Sequence, residues 1–225
     1  MISEMFAHGF IQRAFIGGVL VSLCAALLGV SLVLKRYSMI GDGLSHVSFG
    51  ALSIAIALGF APIKFSIPIV IIAAFFLLRL AENGKMKSDA AIAMVSASSL
   101  AIGVIVTSLT TGLSTDVCSY MFGSILAMSK DDVIFSVVLS VVVLIMFGFC
   151  YHRIFAVTFD ESFSKATGVK VGMYNTLISI FTAVTVVLGI KMMGAMLISS
   201  LIIFPALTSM RVFKSFFKTF FNSVL

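Results

Sequence analysis

The chain has 225 residues, 60% of them hydrophobic and 11% charged, with a mean hydropathy of +1.20. A soluble domain carries about a quarter charged residues, so the composition excludes one. The formal net charge of +6 would suit nucleic acid, but beside repeated apolar runs of about 20 residues it reads as basic cytoplasmic loops.

These runs point to a helical multi-pass membrane protein. A membrane β-barrel would alternate polar and apolar residues in segments of about ten, and the sequence does not. Cys24, Cys118 and Cys150 are far apart, without a CxxC pair, so neither a disulfide framework nor a zinc knuckle is indicated. The first apolar run is too long for the hydrophobic part of a cleavable signal peptide.

Seven spans are predicted: 10–34, 40–60, 63–81, 90–110, 132–151, 172–190 and 193–210. With the N-terminus outside, all but Arg13, Lys64, Lys130 and Lys191 of the 15 basic residues fall in inner loops. In the first span Gly18, Ser22 and Ala26 recur at four-residue spacing, as do Ser99, Gly103 and Thr107 in the fourth. Such stripes let helices approach closely in lipid.

The second span carries the chemistry. It contains Asp42 and His46, four residues apart and therefore on one helical face. Ser45, Gly50 and Ser53 lie on or near that face. A carboxylate in the bilayer costs roughly 2.5–3.5 kcal/mol, so this stripe must meet another helix or a water-filled path. Imidazole and carboxylate together suit zinc, manganese or ferrous iron. Proton handling, or a buried Asp–His hydrogen bond joining two helices, fits the spacing equally well. His8 and His152 fall outside or at the end of spans and read as surface residues.

Between the fourth and fifth spans lies an outer loop, 111–132, whose apolar middle is too short to cross. Between the fifth and sixth lies the longest polar inner segment, 158–174. There Asp160 is placed to cap a short helix with Glu161 in its first turn, and Gly168 to end it. A short amphipathic helix at the inner face suits docking to a soluble partner, and an ordinary surface loop is the plainer alternative. Lys191, between the last two spans, is expected to snorkel to the outer surface, and Pro205 to bend the last span. There is no GxxxxGK[ST], HExxH or GxSxG, which argues against a P-loop ATPase, a membrane metalloprotease or a common hydrolase.

Residues 35–50, KRYSMIGDGLSHVSFG, resemble the signature of the permease subunits of bacterial ABC importers for zinc, manganese and iron, through Asp42, Leu44, Ser45 and His46. Asp116, Tyr120, Phe122 and Gly123 resemble the family's Asp-x-x-x-Tyr-x-Phe-Gly loop. Residues 159–174 resemble its coupling segment, and 194–211 its Gly-x-x-Leu…Pro-Ala segment. The resemblance implies a single permease domain over 1–225 in the bacterial cytoplasmic membrane. It would be an all-α polytopic protein of about seven transmembrane helices with a short cytoplasmic coupling helix.

It implies no enzyme activity and no resident cofactor: the metal is cargo, and ATP binds a separate ABC ATPase. A homodimer and an extracytoplasmic metal-binding protein are the other implied partners. Asp42 and His46 correspond to the metal-handling pair, Ser45 and Asp116 to the pathway. Asp160, Glu161, Lys165 and Gly168 correspond to the segment that couples to the ATPase. Family members usually run on into a further span, so the sequence is expected to be shortened at its C-terminus. A proton-coupled secondary transporter and an integral-membrane metalloenzyme are the alternatives.

Overall fold

The computed structural model describes residues 9–35, 37, 39–82, 88–110, 123 and 130–212. Eight helices lie among them: α1 Gly9–Leu34, α2 Ile40–Ala57, α3 Pro62–Glu82, α4 Ser88–Thr110, α5 Lys130–Phe159, α6 Glu161–Ala166, α7 Val171–Met193 and α8 Ala195–Val212. A segment in hydrocarbon must satisfy every backbone group internally, which favours long uninterrupted helices. Six of these helices are long and apolar enough to cross a membrane. The seventh expected span, α3, has 21 residues, but its apolar stretch ends at Leu77, before Arg79 and Glu82.

The ends of the helices reflect local chemistry. After α2, Gly59 adopts φ 71°, its N–H donates to the Ile56 carbonyl at 3.1 Å, and Phe60 N–H reaches Ala55 at 2.9 Å. This left-handed cap satisfies the last carbonyls. Pro62 then opens α3, where its missing N–H costs nothing. α5 runs two turns beyond the expected 151, because no Gly or Pro interrupts 152–159. It stops where Asp160 becomes extended, with φ −147° and ψ 101°. His152 is thus an exposed residue within α5, not at its end. α8 continues through Pro205.

α7 is the hub, packing against α1, α2, α3, α5 and α8. Between Asn175 and Lys191 it is largely apolar on every side, as a helix surrounded by others should be. Val186, Val187, Leu188 and Ile190 are fully or almost fully buried. α2 is the second inner helix and packs most extensively on α4. By contrast, α4 exposes Ile102, Ile105 and Leu109, and α5 exposes Val142, Ile145 and Phe149, as helices facing lipid or a partner would.

Close crossings explain the small residues. A Cβ at Gly50 would lie 2.8 Å from the Ser99 carbonyl oxygen. One at Gly103 would collide with the Phe49 ring and come within 3.1 Å of the Gly50 Cα. The stripe Ser99, Gly103, Thr107 is therefore the α2–α4 contact. In α1 the closest approach is at Gly29, where a Cβ would overlap the Ile202 carbonyl of α8. That residue lies one turn past the Gly18, Ser22, Ala26 stripe.

Candidate functional site

On α2, Asp42 and His46 are the only incompletely buried residues between Ile40 and Ser53. Everything else there packs against α3, α4, α7 or α8. Gly43 fits so closely that a Cβ would touch Ile92 of α4. Ser45, fully buried, donates its hydroxyl to the Asp42 carbonyl at 2.7 Å. Ser53 likewise donates to Phe49 at 2.9 Å. The polar stripe read from the sequence thus divides in two. Ser45, Gly50 and Ser53 turn into the bundle, and the two ionisable residues stay partly exposed.

His46 Nε2 and Asp42 Oδ2 are 3.7 Å apart, with side chains 25% and 42% exposed. That is too long for a hydrogen bond. An ion bound to imidazole and carboxylate sits about 2.0–2.2 Å from each donor, so one ion can reach both atoms. Asp42 lies in the first turn of α2, where the helix dipole favours a carboxylate. Among the described residues no group of three or more His, Cys, Asp or Glu could hold a metal ion. To hold an ion the pair would need further donors, from water or from outside the described residues. Asp116, Tyr120 and Phe122 lie outside them. Gly123 of the same motif is described. With φ 76°, it presses on the α7–α8 turn so closely that a Cβ would overlap Met193 and Gly194.

The polar segment 158–174 is built as its residues suggest. Asp160 caps α6, accepting from Phe163 N–H at 2.9 Å. Gly168 ends it at φ 80°, with Gly168 N–H on Lys165 at 3.1 Å and Val169 N–H on Ser164 at 2.9 Å. Ser164 faces inward, while Ser162, Phe163, Lys165 and Ala166 are exposed. Phe159 and Phe163 are 65% and 64% exposed and form an aromatic outer face.

Glu161 turns the other way. Its Oε1 accepts from Lys35 Nζ at 2.7 Å and from Asn175 Nδ2 at 3.1 Å, and Lys35 also donates to Asn175 Oδ1. Burial alone would raise the Glu161 pKa. The hydrogen bonds from Lys35 and Asn175, with the charges of Lys35 and Lys165, outweigh it and hold the carboxyl below its ordinary range. Sequence reasoning missed Lys35 and Asn175 as members of this site. The one available signal was an Asn early in an apolar span.

At the opposite end Lys191 does not snorkel freely. Its Nζ contacts Asp132 Oδ2 at 2.6 Å, which ties α7 to the start of α5. Beside this pair, Lys64, Asp131 and Asp132 line a cavity of about 470 Å³ between α3 and α5.

Residues 7–225 match the model of the ABC 3 transport family. The chain belongs to this family. It is 32% identical over 216 residues (96% of this chain, 80% of the relative) to a "Probable metal transport system membrane protein" of Treponema pallidum. It is 29% identical over 206 residues to the manganese import system permease protein ScaB of Streptococcus gordonii (92% and 74% covered). With the high-affinity zinc uptake system membrane protein ZnuB of Haemophilus influenzae it shares 28% over 198 residues (88% and 76%). The fold superimposes on PsaBC from Streptococcus pneumoniae in complex with Fab at TM-score 0.85, with 28% identity, covering all of this chain and 82% of that one. This ABC permease is thus an all-α, multi-pass protein of the cytoplasmic membrane.

Proposed function

We propose that this permease carries a divalent transition-metal ion, with Asp42 and His46 as the intramembrane donors. One observation carries the reading: two ionisable residues on an otherwise buried inner helix stay partly exposed, their donor atoms 3.7 Å apart. Relatives named for manganese import and zinc uptake support this cargo class. The nitrogen and oxygen donors accept zinc, manganese or iron.

A second copy of the chain faces the pair and completes the path, and water or that copy supplies the remaining donors. Asp116 belongs to the outer approach, where an extracytoplasmic metal-binding protein delivers the ion. Ser45 acts from inside the subunit, fixing the α2 backbone at Asp42. The chain hydrolyses nothing and keeps no resident cofactor. A separate ABC ATPase docks on the exposed face of α6, where Phe163 and Lys165 stand beside Phe159, while Asp160 and Gly168 hold the helix in shape. An outward aromatic face at the membrane surface favours this over a proton-driven carrier, which has no use for it.

Uptake of radiolabelled zinc and manganese by proteoliposomes holding the permease–ATPase complex is the test. Asp42→Ala and His46→Ala are each expected to abolish uptake while the complex still assembles. Wild-type uptake of both metals by both variants would make the pair structural.

A further inference from the structure

Three elements meet at one polar cluster on the side that holds α6. Lys35 comes directly after the last residue of α1, Glu161 opens α6, and Asn175 lies in the second turn of α7. The Lys35 side chain is 4% exposed and Asn175 is 2% exposed, while the Glu161 side chain, 41% exposed, closes the cluster on its outer side. The ammonium is held by Glu161 and Asn175, and Asn175 returns a hydrogen bond to the same Glu161 oxygen. A buried charge is strongly destabilised when one partner withdraws. Withdrawal of Glu161 would leave the buried Lys35 ammonium with Asn175 alone, so displacement of Glu161 draws on Lys35.

The backbone also ties Lys35 to the start of α2. Lys35 N–H donates to Ser31 at 3.1 Å, Tyr37 N–H to Leu32 at 2.8 Å, and Ile40 N–H to Tyr37 at 3.0 Å. Tyr37 is thus bonded both to the end of α1 and to the start of α2, and Asp42 stands in the first turn of α2. A shift of Lys35 is thereby passed to the start of α2. α6 contacts only α5 and α7 extensively, so Lys35–Glu161 is its direct tie to the α1–α2 linker.

We propose that Lys35, Glu161 and Asn175 are positioning residues, a latch that carries displacement of α6 to α2 and so to Asp42 and His46. The inference rests on the reading that α6 receives the ATPase. The outward face of α6 binds; the inward carboxylate transmits. Lys35 touches neither the ATPase nor the ion, and its effect is on the number of ions moved for each ATP spent.

The test uses the full permease–ATPase complex in proteoliposomes, with zinc and manganese uptake and phosphate release measured together. Lys35→Met and Glu161→Gln are expected to keep ATPase co-purification and hydrolysis but to lower ions carried per ATP by about tenfold or more, as loss of a charged hydrogen bond implies. Lys35→Arg should keep most of the coupling, and the exchange Lys35→Glu with Glu161→Lys should restore part of it. An unchanged ratio in Lys35→Met and Glu161→Gln overturns the latch. So does a proportional loss of assembly, hydrolysis and uptake, which marks a folding support. Phe163→Asp, on the outer face, reads the docking separately. If it leaves co-purification intact, the docking reading fails. If it abolishes co-purification while Lys35→Met transports normally, the latch alone fails.

Discussion

Glu161 shows how one residue can be found by its position while its direction stays unread. Its place in the first turn of a capped helix is visible in the sequence, and which way its carboxylate points is not. The structure turns its carboxylate toward Lys35 and Asn175, which lie 126 and 140 residues from their respective partners Glu161 and Lys35. Contacts over such separations depend on how helices pack, which no local pattern encodes. The depressed pKa has a signed consequence. Relative to the ordinary value of 4.5, the folded carboxyl titrates lower. Its stabilising contribution is complete above 4.5 and is lost as pH falls through the lower folded value. The melting temperature of the detergent-solubilised permease should therefore fall on acidification below 4.5, and Glu161→Gln should flatten that part of the profile. Superimposable wild-type and variant profiles would refute this. Asp42 and His46, by contrast, were readable as a pair from spacing alone. That Ser45 leaves their face was not, because a four-residue period does not say which neighbours a packed helix buries.

At the scale of elements, the sequence carries most of the helices and fewer of their ends. Gly59 with Pro62, and Asp160 with Gly168, are local signals that the structure uses as caps. The end of α5 was missed because hydropathy falls around His152 and Arg153 while the backbone has no reason to stop until Asp160. Small-residue stripes were half informative: Gly103 faces α2 as expected, whereas Gly29 makes the closest approach in α1 from outside its stripe. Two glycine substitutions separate packing from propensity. In Gly50→Val the new Cβ meets the Ser99 carbonyl at 2.8 Å, backbone that cannot swing aside. α2 and α4 must part, at a cost of about 1–3 kcal/mol. Gly148→Ala in α5 meets nothing within 4 Å and should be neutral or slightly stabilising. Equal melting temperatures for the two variants would show that the α2–α4 crossing is not tight. A third substitution probes α6 and its proposed docking role. Gly168→Val places a branched side chain at φ 80° in open space, so its penalty is backbone strain of about 1–3 kcal/mol. Assembly with the ATPase should fall while membrane insertion is kept, as a pull-down and a membrane flotation would report.

The whole molecule is oriented by two charged ties on its central helix. Asn175 joins Lys35 and Glu161 near the start of α7, and Lys191 joins Asp132 near its end. Between them runs an apolar stretch of about 24 Å at 1.5 Å per residue, a little shorter than the roughly 30 Å hydrocarbon core. The two ties therefore sit at opposite membrane boundaries, and the side that holds α6 is the basic one, with Lys165 and Lys170 close by. Basic residues favour the cytoplasm. α6 and its aromatic face then lie inside, and the cavity lined by Lys64, Asp131 and Asp132 opens outside. Single cysteines test this in a background with Cys24, Cys118 and Cys150 replaced. A cysteine at exposed Ser162 is expected to react with an impermeant maleimide only after the cells are permeabilised. One at exposed Lys64 should react in intact cells. Labelling of Ser162→Cys from outside would invert the orientation. It would also remove α6 from the ATPase's reach, and the coupling route with it, whereas Asp42 and His46 would keep their place on α2 in either orientation.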